Sequence, residues 1–302
     1  THGSKSGLLG RVAAFLLGVP VIVHTFHGHL FHSYFNRIGN FFIKNIERLL
    51  AAVSSHIIAL SDEQYKELTQ KYAIVKAKKV TTIPLGVDEK ALQINIDSNR
   101  KKFRDQYLLS PDAIAVGIVG RVVPIKNHFL FLEIAKQVLS TKVNHVYFFI
   151  IGDGGTNKEL KQYLDIEHIA YSTNTDKSKN IIFTSWIEDM ASVYHGLDIV
   201  LLTSFNEGTP LSIIEAQFCG KPVIASNVGG VKDTFANNQS GFLIDGFTVE
   251  NYTEKLMLLI NNQELRNNMS KAAVSFATST FNKQKEVLAM KELYLQKLPS
   301  FN

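Results

Sequence analysis

Two glutamates, Glu207 and Glu215, are the residues of this 302-residue chain whose types and spacing best suit chemistry. Glu207 comes just before a predicted helix, and Glu215 lies within that helix. The N-terminus of a helix presents free N–H groups and the positive end of its dipole, which favours phosphate. Carboxylates beside such a terminus accept hydrogen bonds from hydroxyl groups. The pair therefore predicts a site for a ligand with both phosphates and hydroxyls, and a nucleotide sugar has both.

The two glutamates belong to a predicted strand–loop–helix–strand unit. The apolar run 198–202 predicts a buried parallel strand, and residues 222–226 predict the next strand. Thr209 is predicted to cap the helix, Pro210 to be its first residue, and a left-handed Gly220 to end it. The loop and the helix start then lie at the carboxyl end of a strand, which is where open α/β sheets bind ligands.

The stretch EGTPLSIIEAQFCGKPVIASNVGG resembles the E-x7-E signature of retaining GT-B glycosyltransferases, in particular glycosyltransferase family 4. The resemblance implies that Glu207 contacts the donor sugar and that Glu215 contacts the nucleotide ribose. It also implies that the backbone after the first glutamate binds sugar and phosphate, through Gly208, Thr209, Pro210 and Leu211.

Two cations form a second candidate group. Gly120 and Arg121 follow a predicted strand over residues 114–119, and Lys126 comes five residues later at a helix start. Arginine grips phosphate oxygens with a fork of donors, and lysine adds a point charge, so the pair predicts an anion clamp. The segment GRVVPIKN also resembles the family's pyrophosphate-binding turn. Because such a clamp stabilises the departing diphosphate and no Asp-x-Asp pair is present, we expect neither a metal nor a cofactor.

Two further turns follow predicted strands. Gly152 and Asp153 begin a glycine-rich turn that we expect to be flexible, and Phe183 and Trp186 follow the next strand. The resemblance implies that both turns flank the nucleobase of a UDP- or GDP-linked donor. From the residues themselves, a core position explains each of the two aromatic side chains equally well.

Four histidines, His24, His27, His29 and His32, crowd one stretch of sequence. A metal site is the less favoured interpretation, because neither cysteine nor carboxylate accompanies them. The segment HTFHGH resembles the family's N-domain loop, whose histidine reaches the donor sugar. That resemblance gives His27 the role of orienting the sugar or accepting a proton, whereas His24 is expected to be structural.

Composition excludes several classes of protein. The hydrophobic fraction of 45% and the charged fraction of 20% are ordinary for a globular protein. The single cysteine, Cys219, excludes an internal disulfide and fits a reducing compartment. The net charge of +5 fits an anionic membrane face or phosphorylated substrates as well as an ordinary surface. No run combines basic and aromatic residues as a nucleic-acid site would, so nucleic acid is not an expected partner.

Alternation of predicted strands and helices indicates an α/β fold with doubly wound parallel sheets. With the resemblance, this implies a GT-B fold of two Rossmann-like domains. Residues 1–95 are expected to form part of an acceptor-side domain, and residues 96–278 the nucleotide-sugar domain, with an irregular linker within 89–99. The last helix, within 279–302, is expected to cross back to the first domain. Family members have more strands before the first residue, so the first domain is expected to be truncated.

The resemblance implies a metal-independent enzyme that transfers a hexosyl or related sugar, with retention, from a nucleotide sugar to a sugar or lipid-linked acceptor. Bacterial cell-surface polysaccharide or glycolipid synthesis in the cytoplasm, with peripheral contact at the inner membrane face, is the expected setting. Three alternatives stay open: a glycosidase, a nucleotide-sugar epimerase, and a non-catalytic nucleotide-sugar-binding subunit. A glycosidase would use two carboxylates but would not need the cationic clamp. The expected truncation predicts nucleotide binding with little sugar transfer.

Overall fold

The computed structural model describes residues 1–28, 37–141, 143, 145–173 and 179–298. The chain divides into two compact units, and each is described by itself. The first unit comprises Thr1–Val87, Glu207–Thr209 and Thr280–Asn302, and the second comprises Asp88–Asn206 and Pro210–Ser279. His29 and His32 lie outside the described residues, so their predicted place in a histidine cluster stays a prediction.

The first unit contains a three-stranded parallel sheet in the order β1-β2-β3. Its elements up to the third strand are α1 (Ser4–Leu16), β1 (Val23–Thr25), α2 (Arg37–Val53), β2 (His56–Ala59), α3 (Asp62–Lys66) and β3 (Val80–Thr82). Val23 pairs with His56, and Ile57 pairs with Val80. The strand order follows the chain order, so every crossover in this sheet runs in the same direction.

Two kinds of contact hold the first unit together. The C-terminal helix, Lys283–Lys297, places Leu293 in an apolar cluster with Val23 and Ile58 of the sheet. Between α1 and α2, the Arg11 guanidinium donates to a carboxylate oxygen of Glu47 at 2.8 Å, and both side chains are buried. A buried charge is tolerated only when it is paired, so this ion pair fixes how α1 packs on α2.

The second unit contains a six-stranded parallel sheet in the order β6-β5-β4-β7-β8-β9. Its elements are α4 (Glu89–Gln93), α5 (Ile96–Gln106), β4 (Ile114–Val119), α6 (His128–Ser140), β5 (Val146–Ile151), α7 (Asn157–Ile166), β6 (Ile181–Ser185), α8 (Met190–Gly196), β7 (Ile199–Leu202), α9 (Leu211–Phe218), β8 (Val223–Ser226), β9 (Gly241–Ile244), α10 (Val249–Asn261) and α11 (Gln263–Thr280), before the C-terminal helix α12 (Lys283–Lys297). The winding direction reverses between β4 and β7. This is the order of a doubly wound Rossmann sheet, so the predicted α/β fold with parallel sheets is confirmed.

Both faces of the six-stranded sheet are covered, as its continuously apolar strands require. On one face, Phe131 of α6 packs edge-on against Phe148 of β5. On the other face, Phe103 and Tyr107, at the end of α5, contact Phe149 with ring centroids 5.2 Å apart in each case. Successive residues of β5 therefore face opposite helical layers.

The prediction that residues 89–99 are irregular is wrong, whereas the predicted place of the domain linker stays a prediction. This segment forms α4 and the first residues of α5. The Asp88 side chain caps α4 by accepting from the Lys90 N–H at 3.2 Å, and Leu92 is buried. A helix of five residues is too short to show an apolar period in the sequence. The capping residue Asp88 is therefore the sequence feature that could have indicated this helix.

Among the helices that the structure describes, none combines the length and apolar character needed to cross a bilayer.

Candidate functional site

The switch point between β4 and β7 brings two of the predicted loops together. Val116 of β4 pairs with Ile199 of β7, so the residues after both strands lie at one edge of the sheet. The Thr203 hydroxyl, after β7, contacts the carbonyl oxygens of Lys126 and Asn127 at 3.0 Å each. These contacts join the loop that precedes α9 to the turn that carries the predicted cations.

The glycine-rich turn after β5 is closely packed at Gly152 and Gly154, and its flexibility stays a prediction. A Cβ atom on Gly152 would lie 2.0 Å from the Gly120 carbonyl oxygen, and one on Gly154 would lie 2.2 Å from that of Val122. Gly152 also has a φ of 136°, which other residues rarely adopt. The glycines are therefore needed so that the turn after β5 can support the turn after β4.

Asp153 organises this turn. Its carboxylate accepts from the Gly154 N–H at 2.7 Å and from the Asn157 amide, and the Ser185 hydroxyl donates to it at 3.2 Å. These donors, the Gly154 N–H first, lower the pKa of Asp153 and keep it ionised. Contact between Asp153 and a donor nucleotide stays a prediction.

Arg121 and Lys126 lie on the turn between β4 and α6. Arg121 is exposed directly after Gly120, and Lys126 ends the single 3₁₀ turn Pro124–Lys126. Asn127, with a φ of 51°, then starts α6, and no side chain in this described segment caps the helix. The turn places both cations beside the switch point, where an anion clamp was predicted. Their contact with a diphosphate stays a prediction.

His128, the first residue of α6, was not singled out from the sequence. It is buried, and neither ring nitrogen has a hydrogen-bond partner among the described residues. Burial lowers the pKa of His128 to about 4, so the ring is neutral beside Lys126.

The helix that carries Glu215 starts one residue later than predicted. Pro210 is the N-cap of α9, and neither its own side chain nor that of Thr209 caps the helix within the described residues. The predicted Thr209 cap is therefore wrong. The N–H groups of Leu211 and Ser212 have no acceptor within the helix, whereas the Ile213 N–H donates to the Pro210 carbonyl at 3.1 Å. The predicted end is confirmed: Gly220 has a φ of 65°, and the Lys221 N–H donates to the Ala216 carbonyl at 2.9 Å.

Glu215 is held by a residue that the sequence analysis missed. The hydroxyl of Tyr194, in α8, donates to Glu215 Oε2 at 2.8 Å. Burial raises the pKa of Glu215, and the Tyr194 hydrogen bond acts in the opposite direction. Tyr194 is fully buried, which raises the pKa of its phenol, so it acts as a neutral donor. The bond fixes one carboxylate oxygen and so sets the direction of the other.

The two predicted base-flanking aromatics differ in their surroundings. Phe183 is a core residue of β6, 5% exposed, with Tyr171 packed edge-on against it. Trp186 is 61% exposed just beyond β6. Only Trp186 therefore presents a ring face that a base could stack on without rearrangement. Contact of either residue with a base stays a prediction.

In the first unit, His27 pairs with another histidine. His27 Nε2 lies 2.8 Å from His2 Nδ1, and burial and His2 together lower the pKa of His27, with Glu286 acting in the opposite direction. His24 is buried, and its pKa is lowered to about 3, which agrees with the expected structural role. Among the described residues, no group of His, Cys, Asp or Glu is arranged to hold a metal ion.

Glu207, Gly208 and Thr209 cluster with the first unit. Glu207 is half-buried. A Cβ atom on Gly208 would lie 2.9 Å from the His27 carbonyl oxygen, so the close backbone approach excludes a side chain there. The sugar-binding roles of Glu207 and of the backbone from Gly208 to Leu211 stay predictions.

Comparison with known families agrees with this architecture. The model of the family described as "Glycosyl transferases group 1" matches residues 99–276. The chain belongs to this family of glycosyltransferases. A second model, "Glycosyltransferase Family 4", matches residues 1–91. The predicted family is therefore confirmed at the level of these two models.

Individual relatives extend the family match over nearly the whole chain. The UDP-Gal:alpha-D-GlcNAc-diphosphoundecaprenol alpha-1,3-galactosyltransferase of Escherichia coli is 33% identical over 98% of this chain and 74% of its own length. The capsular polysaccharide biosynthesis glycosyltransferase CapM of Staphylococcus aureus is 27% identical over 87% of this chain and 67% of its own length. The structure of Anabaena Alr3699/HepE in complex with UDP aligns with a TM-score of 0.81 at 21% identity, over 97% of this chain and 76% of that one. At this identity, the likeness to the HepE structure shows a shared fold.

Proposed function

We propose that this protein transfers a sugar from a UDP-linked donor to a hydroxyl group of a lipid-linked acceptor, with retention of anomeric configuration and without a metal. Membership of the glycosyltransferase family supports sugar transfer. The E. coli relative's name, which specifies a UDP-linked donor and a diphosphoundecaprenol-linked acceptor, supports both substrate classes. The staphylococcal relative's name supports a role in cell-surface glycan synthesis, which for this protein we place at the inner face of the bacterial membrane.

The observation that carries the proposal is the edge of the six-stranded sheet at its switch point. The turn with Arg121 and Lys126 and the start of α9 follow the adjacent strands β4 and β7. Free N–H groups, two cations and a carboxylate aligned by Tyr194 are the groups that a nucleoside diphosphate requires. In this proposal Glu215 accepts from the ribose hydroxyls, and the two cations bind the diphosphate.

During transfer, the acceptor oxygen bonds to the anomeric carbon on the face from which the diphosphate departs, so the configuration is retained. The bond to the diphosphate breaks, and the diphosphate leaves with the electron pair. Charge grows on the leaving oxygen, so Arg121 and Lys126 stabilise the transition state more than the bound donor. Glu207 and the amides after it orient the sugar. His27 has a lowered pKa and is therefore a neutral ring, which can accept the proton of the acceptor hydroxyl.

The test combines donor binding with transfer. The purified protein is screened with UDP-galactose, UDP-glucose and a GDP-linked sugar by thermal shift, and the best donor is then incubated with lipid-linked N-acetylglucosamine with and without EDTA. We expect a UDP sugar to stabilise the protein, and the lipid product to form at the same rate with the chelator and to have the donor's anomeric configuration. Epimerised donor without an acceptor product would indicate an epimerase. Donor binding without any turnover would indicate a binding subunit.

A further inference from the structure

A cavity of about 450 Å³ lies at the amino ends of the strands in the second unit, opposite to the turn that carries Arg121 and Lys126. Its wall includes Ile114, Asp198 and Pro222, which are at or directly before the starts of β4, β7 and β8. The strands are parallel and β4 spans six residues, so about 20 Å separates the cavity from the turn after β4. The cavity is therefore separate from the candidate nucleotide site, and its volume suits a small molecule.

Three cationic side chains from different parts of the second unit line this cavity. Arg100 belongs to α5, Lys221 lies between α9 and β8, and Arg266 belongs to α11. Two carboxylates, Asp112 and Asp198, line it as well. Because the cations come from distant parts of the chain, the fold concentrates positive charge here without any run of basic sequence.

The carboxylate of Asp198 is already engaged by protein donors. One of its oxygens accepts from Arg100 at 2.8 Å. The other accepts from Arg104 at 3.2 Å and from the Ala115 N–H at 2.8 Å. Two guanidinium groups therefore share one carboxylate, and Asp112, the second carboxylate of the wall, is exposed. The cavity retains an excess of positive charge.

Two of the cations also retain hydrogen-bond donors for a ligand. Lys221 Nζ donates to the His195 carbonyl at 3.2 Å, its one acceptor among the described residues. Burial lowers the pKa of Lys221 to about 8, so its charge is poorly compensated by its present surroundings. Arg266 Nη1 donates to carbonyls at the end of α10, whereas the Nε and Nη2 groups have no acceptor in the described part of the chain. An anion in the cavity would supply the missing acceptors.

Helix α11 adds neutral donors to the same wall. Gln263, Asn267 and Ser270 line the cavity together with Arg266, and their spacing of three or four residues places them on one face of the helix. Amide and hydroxyl groups can bond both to phosphate oxygens and to the hydroxyls of a phosphate ester. Holding the carbonyls at helix ends explains part of what the cations do, but it does not require them to meet in one cavity.

We propose that this cavity binds a small molecule that carries a phosphate group, with Arg100, Lys221 and Arg266 at the phosphate and the polar face of α11 at the rest of the ligand. This site goes beyond the proposed function, because neither sugar transfer nor a bound nucleotide is needed for it.

Titration calorimetry with sulfate, without any nucleotide, tests the proposal. Sulfate has the shape and charge of a phosphate dianion and does not itself titrate near pH 8. Asn267→Glu adds a carboxylate to the cavity wall and should weaken sulfate binding at least about tenfold by repulsion. Asn268→Glu, at the next and equally exposed position of α11, should change the affinity less than about twofold. Arg121→Ala should leave sulfate binding at this cavity unchanged.

Proton uptake ties the binding to Lys221. Lys221 faces Asp198 as an opposite charge and Arg100 and Arg104 as like charges, and the Cys219 thiol beside it is neutral because burial raises its pKa to about 12. A bound anion should raise the lowered pKa of Lys221, so up to about half a proton should be taken up per sulfate at pH 8. The heat of binding should therefore depend on the ionisation enthalpy of the buffer.

Inorganic phosphate and ribose 5-phosphate, titrated in the same way, distinguish the source of the phosphate group. We expect the ester to bind more tightly, because the polar face of α11 can contact its hydroxyls. Equal affinities would contradict the role given to α11 and leave the phosphate ion as the ligand.

Four outcomes would overturn the proposal: no sulfate binding by the unsubstituted protein, equal binding by the two asparagine variants, loss of all binding in Arg121→Ala, or a heat that is independent of the buffer. The proposed function is tested separately by UDP binding and sugar transfer. Sulfate binding that Asn267→Glu abolishes, in a protein that fails to bind UDP, would support this site and refute the proposed function.

Discussion

The two parallel sheets of the molecule differ in how the helices after their strands begin. In the first unit, α3 follows β2 and is capped by Ser61, whose hydroxyl accepts from the Gln64 N–H at 3.1 Å. In the second unit, α6 follows β4 and α9 follows β7, and neither has a side-chain cap in the described structure. A capped helix start is satisfied by its own chain, whereas an uncapped one leaves N–H groups for a ligand.

Strand order explains why the starts of α6 and α9 lie side by side. The three-stranded sheet runs β1-β2-β3, without a reversal among its described strands. The six-stranded sheet reverses between β4 and β7, and α6 and α9 begin at that point. Within the same sheet, α8 follows β6, away from the reversal, and Asp189 caps it by accepting from the Ser192 N–H. Two uncapped helix starts therefore lie side by side at the switch point, where doubly wound sheets bind ligands, although α7 and α10, which follow β5 and β9, also have no side-chain cap in the described structure.

We expect the largest effect on stability from a side chain at Gly152, whose backbone packs against the turn after β4. Gly152→Ala places a Cβ atom against the Gly120 carbonyl at a φ that alanine avoids. It should lower the free energy of unfolding by about 3 kcal/mol or more in a denaturant titration. Gly155→Ala, with no atom near the new Cβ, should change it by less than about 0.5 kcal/mol. Equal stabilities of the two variants would contradict the close packing.

The cations of the second unit should affect turnover more than binding. Arg121→Ala or Lys126→Ala is expected to lower kcat about 100-fold while the donor affinity changes less, because the charge they meet grows in the transition state. Lys158→Ala removes an exposed cation from α7 and serves as the matched control. A normal kcat with only a raised KM would refute the assignment.

A smaller effect is expected from the residue that aligns Glu215. Tyr194→Phe removes the hydrogen bond to the carboxylate and should weaken UDP binding by about 0.5–1.5 kcal/mol in calorimetry. The exposed Tyr294 of the first unit provides the control Tyr294→Phe, which should bind UDP normally. Unchanged affinity of Tyr194→Phe in a folded protein would show that the carboxylate does not depend on this bond.

The smallest effect concerns pH. The carboxylate of Glu215 accepts from ribose hydroxyls only when ionised, and its pKa is raised by burial. Affinity should therefore be complete above the raised pKa and be lost as pH falls through it, at a higher pH than for an exposed glutamate. Uridine is the suitable ligand because a terminal phosphate titrates itself near pH 6. Glu215→Gln should bind weakly with a flat profile in this range. An equally steep profile in that variant would assign the titration to another group.

Several features of the fold follow from the sequence because they depend on neighbouring residues. The apolar run 114–119 is β4 as predicted, since a strand buried on both faces is apolar throughout. Gly220 ends α9 as predicted, since a left-handed residue after a helix is commonly glycine. These features need no knowledge of distant contacts.

The features that sequence analysis missed depend on distant contacts. Tyr194 and Glu215 lie on different helices, and no spacing relates them. The close packing at Gly152 comes from the backbone of Gly120, which another strand places there. Thr209 has the residue type of a cap, but α9 starts at Pro210 without one. In each case the tertiary arrangement decided what the local pattern left open.

Hydrogen exchange with and without UDP tests most directly whether the switch point of the second unit holds the nucleotide. We predict slower exchange in residues 120–127 and 210–215 when UDP is bound, because the amides beside the cations and at the start of α9 gain acceptors. Residues 60–62 and 83–86, after β2 and β3 in the first unit, should exchange at the same rate in both states. Protection at these two segments, with none at residues 120–127 and 210–215, would contradict this assignment.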